Sequence, residues 1–113
     1  MITDTIPSTR GVGHPAAFHL GPGHVIVYAT PAFLVAFGST CLGLPAREAL
    51  LDLPPAAFTL MDRVLREGRP LACRIETPHG EQRLVVVPRR DPDGETYGVA
   101  THIVAVAAGV ERR

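Results

Sequence analysis

The sequence has no lysine, no tryptophan, and only two cysteines. The missing lysine leaves arginine as the sole basic residue apart from histidine. Eleven basic and eleven acidic side chains give a net charge of zero. That balance provides no broad electrostatic footprint for nucleic acid or an anionic membrane. We read the arginine preference as genome base composition rather than chemistry. Two cysteines, Cys41 and Cys73, make no disulfide framework, and without C-x-x-C spacing they give little support to structural zinc or thioredoxin-like redox chemistry. The opening MITDTIPSTRGVG has no apolar signal core. No stretch reaches the roughly 18 apolar residues of a membrane helix. Together these absences point to a cytoplasmic chain with reduced thiols.

The 113 residues, 46% of them hydrophobic, are enough for one core and too few for two. Residues 1–14 hold Thr, Ser, Pro and Gly without periodicity, and read as a flexible lead-in. AAFHL (16–20) and HVIVYA (24–29) read as two strands joined at GPG. In YATPAFLVAFG (28–38), Thr30 is placed to cap a helix and Pro31 to begin it. Phe33 and Phe37 share its face, and Gly38 ends it. So short a helix needs a sheet to pack on.

Residues 39–53 read as short helical turns and loops, and PPAAFTLMDRVLREG (54–68) as the main helix. Phe58, Met61 and Leu65 mark its apolar face, widened by Leu60 and Val64. LACRIET (71–77), EQRLVVVPRR (81–90) and TYGVATHIVAV (96–106) complete the chain as three strands. They turn at His79-Gly80 and at DPDG, and Pro88 implies an edge position or a bulge. Two strands, then helices, then three antiparallel strands make an α+β fold with its helices on one face.

These pieces, in this order, resemble a PAS domain over residues 15–108, with 109–113 as a tail. The resemblance rests on VIVYATPAFLVAFG, CLGLPARE, FTLMDRVLREGRPL and VVVPRRDPDGETYGVATHIV. The family usually places Asn where Thr30 stands. The resemblance implies a five-stranded sheet and a sensory or interaction role in bacterial signal transduction. Such a module binds a small molecule between sheet and helices, dimerises through the outer sheet face, or does both. Expected partners are a second copy and an output such as a kinase, phosphatase or transcription regulator. Neither nucleic acid nor membrane is an expected partner.

By register with the family's last strand, Gly98, Ala100, His102 and Val104 face a cavity. Its other expected lining is Phe33, Phe37, Leu60, Met61, Cys73, Ile75, Gln82, Leu84 and Val86. Val85, Val87, Val99, Thr101 and Ile103 then form an outer apolar strip, rimmed by Arg83 and Arg89. A dimer, a partner helix or the N-terminal segment is expected to cover that strip. His14, His19, His24 and His79 are scattered, and solvated surface is expected for them.

The light-sensing branch carries a cysteine within Asn-Cys-Arg-Phe-Leu, where this chain has Ser39-Thr40-Cys41-Leu42-Gly43. The main helix holds no histidine for haem. No cofactor is therefore expected, although an unidentified small molecule fits the pattern. No catalytic constellation emerges. A ketosteroid-isomerase-type enzyme, with Asp62 or Tyr28 pointing inward, is the remote alternative.

Overall fold

The computed structural model describes residues 14–77 and 80–106. The expected lead-in (apart from His14), the tail over 109–113 and His79 of the expected turn lie outside the described residues. Five strands form one sheet: β1 (Ala16–Leu20), β2 (Val25–Ala29), β3 (Leu71–Thr77), β4 (Gly80–Arg90) and β5 (Thr96–Ala105). Their order is β2-β1-β5-β4-β3, and every neighbouring pair is antiparallel. Between β2 and β3 come α1 (Pro31–Phe37), a 3₁₀ turn (Ser39–Cys41), α2 (Ala46–Ala49) and α3 (Pro55–Glu67).

Thr30 joins strand to helix in two ways. Its hydroxyl accepts from the Phe33 amide at 3.3 Å, capping α1, and from the Ala16 amide at 3.1 Å, holding the start of β1. Phe33 and Phe37 stack with ring centroids 4.6 Å apart, and Phe33 is buried. At the end of α3, Gly68 takes the left-handed conformation (φ 71°), and its carbonyl accepts from the Arg90 guanidinium. The free edge of β2 is covered by residues 43–46: Ile26 donates to Leu44 O at 3.0 Å and accepts from Gly43 N at 2.7 Å. Pro88 lies beyond Val86, the last β4 residue paired with β3, so β4 is an edge strand by that point.

The core lies between the sheet and the helices. Leu84, Val86 and Ile75 meet Phe33, Leu60, Met61 and Val64 there. One expectation is corrected: the register of β5 is shifted by a residue. Leu84 lies opposite Ile103 and Val86 opposite Thr101, so Val99, Thr101 and Ile103 face inward and are buried. Ala100 and His102, opposite Val87 and Val85, face outward. Apolar residues occupy both parities of β5, so alternation alone leaves its register open. The branched Val99 and Ile103 fill the core, and the small Ala100 takes the outer face.

Candidate functional site

The inner face carries a buried polar array that the scattered histidines did not announce. His19 alternates inward with Ala17 on β1 and is 0% exposed; His24 ends the GPG turn and is 1% exposed. The expectation of solvated surface is corrected for both. The parity of AAFHL held a usable signal, because His19 falls on the same side as Ala17. Phe18, though the greasier residue, faces out opposite Ala100. Nothing in the sequence marks His24, whose backbone is left-handed at φ 53°.

The geometry fixes the proton positions. His19 Nδ1 lies 3.4 Å from the His24 carbonyl, which can only accept, so Nδ1 carries the proton. His19 Nε2 then accepts from the Thr101 hydroxyl at 2.9 Å. Burial pushes the His19 pKa down to about 4; the bond to the His24 carbonyl offsets part of this, and the neighbouring His24 ring adds to it. His24 Nε2 donates to Asp62 Oδ1 at 2.7 Å, and Arg47 donates to Asp62 Oδ2 at 3.0 Å. Burial raises the Asp62 pKa, but the Arg47 and His24 bonds and charges outweigh it and hold the carboxyl below its ordinary value. His24 Nδ1 is buried without a partner among the described residues. The array ties β5 and the β1–β2 turn to α2 and α3.

A small cleft of about 80 Å³ is lined by none of the residues of this array. Phe37, Leu53, Ile103, Pro15 and Ala36 are its apolar lining residues, and Asp52, Thr77 and Gln82 its polar ones. Of the residues expected to line a cavity, Phe37 and Gln82 meet this cleft. Phe33, Leu60, Met61, Ile75, Leu84 and Val86 are instead buried in the packed core, with Cys73 at its margin. Ile103, expected outside, joins the cleft. Burial raises the thiol pKa of both Cys41 and Cys73.

On the opposite face, Ala100 lies between Val87 and Phe18, and His102 between Val85 and Ala16. Phe18 stacks on Tyr28 at 5.3 Å, and Arg89 lies 3.9 Å over its ring. His14 Nε2 is 3.3 Å from His102 Nδ1. Partial burial, and secondarily His14, lower the His102 pKa. Of the two enzyme candidates, Tyr28 is exposed on this outer face, and Asp62 is engaged by Arg47 and His24. Among the described residues, no cluster of three or more His, Cys, Asp or Glu is placed to hold a metal. No helix among them is long and apolar enough to cross a membrane.

A single antiparallel sheet with helices packed against it defines an α+β class, and the order β2-β1-β5-β4-β3 narrows it. Solved structures of the same shape include a sensory box sensor histidine kinase from Vibrio cholerae. It has a TM-score of 0.73 and 17% identity, over 91% of this chain and 90% of that one. The Vibrio cholerae VqmA dimer, described with LuxR-type DNA-binding receptors, has a TM-score of 0.67 and 18% identity. The match covers 96% of this chain and 53% of that one. The blue-light photoreceptor Aureochrome1 LOV domain has a TM-score of 0.63 and 16% identity, over 99% and 88%. No family model matches the chain, and no curated protein is similar to it. The chain has the PAS fold.

Proposed function

We propose that this chain is a sensory or regulatory PAS-type module of a signal-transduction protein, working in the cytoplasm and acting by self-association through the outer face of its sheet. One observation carries the reading. Phe18, Tyr28, Val85, Val87, Ala100 and Val104 lie side by side on adjacent strands, on the face the helices leave uncovered. Arg74, Arg83 and Glu81 border them on β3 and β4. An apolar centre within a charged rim is the anatomy of a protein interface. An output kinase, phosphatase or transcription regulator is the partner class that the neighbours, a sensor kinase and a DNA-binding receptor, support. The balanced charge argues against this module itself touching nucleic acid.

Sedimentation equilibrium tests the reading. The native chain is expected to dimerise, and Val87→Glu to weaken the dimer at least about tenfold without changing the circular dichroism spectrum. A native chain that stays monomeric at every concentration, or an undiminished V87E dimer, contradicts it.

A second reading is supported by the cleft at Phe37, Leu53 and Ile103, which has room for a small ligand. At about 80 Å³ it falls well below the roughly 300–1,000 Å³ of a drug-sized pocket.

A further inference from the structure

We infer that the cleft beside Asp52 takes a small organic cation, an ammonium group on a compact apolar body. This rests on the second reading above and adds the chemical class of the ligand. Size sets the first limit. A water-sized position takes about 10–15 Å³ on this measure, so about 80 Å³ admits roughly five to eight non-hydrogen atoms. A flavin or haem is far too large for the cleft as it stands. The apolar lining sets the second limit: Phe37, Leu53 and Ile103 offer carbon, so most of the ligand must be apolar.

The polar lining sets the charge. Asp52 brings a carboxylate to the cleft, and no arginine pairs with it among the described residues. Arg47, five residues before it, is engaged by Asp62 at 3.0 Å. An anionic ligand would meet repulsion there, and a neutral one would leave the charge unused. Gln82 adds to the same preference. Thr77 Oγ1 stands 2.9 Å from both the Gly80 carbonyl oxygen and Gln82 Oε1. One hydroxyl proton cannot serve two acceptors. A half-turn of the Gln82 carboxamide lets its NH₂ donate to Thr77 while Thr77 donates to Gly80. The Gln82 carbonyl oxygen is then released from Thr77, on a residue that lines the cleft. Two acceptors, one charged and one neutral, call for a ligand that donates.

The test is an amide chemical-shift titration with three probes of nearly equal shape: isobutylammonium chloride, isobutanol and sodium isobutyrate, at fixed ionic strength. We expect isobutylammonium to give saturable shifts at Phe37, Leu53 and Ile103, with an affinity about fivefold or more above that of isobutanol. Isobutyrate should give none. In Asp52→Asn, an exchange at an exposed position, the amine and the alcohol should bind alike. Equal amine and alcohol affinities in the native chain, isobutyrate binding, or an amine affinity unmoved by D52N overturns the ligand class while the cleft reading stands. No saturable shift from any probe overturns both.

Discussion

His19 and His24 flank a Gly-Pro-Gly turn, yet both side chains end in the interior. Neutral imidazole is what makes this tolerable for His19, because it can donate to the His24 carbonyl and accept from Thr101 at once. The sign of the resulting pH dependence follows from its lowered pKa. Above about pH 6.5 the ring is neutral in both folded and unfolded chains. As pH falls below 6.5 the unfolded chain takes up the proton first, so stability declines until about pH 4, where the folded chain binds it too. The loss over that window is about 3 kcal/mol. Urea midpoints measured from pH 7 to 4 should show it, and His19→Gln should flatten most of the slope. A smaller loss from His102 remains, since its lowered pKa acts with the same sign. Asp62 also has a lowered pKa, but as a carboxylate it loses its contribution only in stronger acid, as its folded-state pKa is passed. An H19Q profile as steep as that of the native chain would contradict this account.

Elements were the most legible level of the sequence, because caps and turn residues act locally. The expected helix over 54–68 is observed as Pro55–Glu67, and the expected strand over 71–77 is observed with the same bounds. In β4 the expected inward Leu84 and Val86 are the buried pair, but VATHIV of β5, apolar at both parities, did not disclose which way it faces. Only tertiary pairing decides that, and it placed Val99 and Ile103 in the core. The cleft was partly legible through Phe37 and Gln82, while Asp52 lies in a loop with no period to read. Two substitutions test the local reasoning. Thr30→Ala removes the acceptor for both Phe33 N and Ala16 N, and should cost about 1–2 kcal/mol in chemical denaturation, largely recovered by Thr30→Asn. Gly98→Ala would drive a Cβ into the His19 carbonyl where β5 meets β1, and should cost about 3 kcal/mol.

At the scale of the whole molecule, the sheet has one face filled by helices and one face that the described helices leave uncovered. That asymmetry predicts opposite outcomes for two valines on neighbouring strands. Val99→Glu buries a charge at a site 0% exposed and should unfold the domain, costing more than about 4 kcal/mol, as thermal melting will read. Val87→Glu should leave the melting curve nearly unchanged and act on association alone. The most direct test of the outer face as the contact surface is an isotope-filtered nuclear Overhauser experiment on mixed labelled and unlabelled chains. Intermolecular contacts are predicted among Phe18, Val85 and Val87 of the two copies. Contacts arising from the exposed side of α3 instead, or none at concentrations where dimers form, would contradict it.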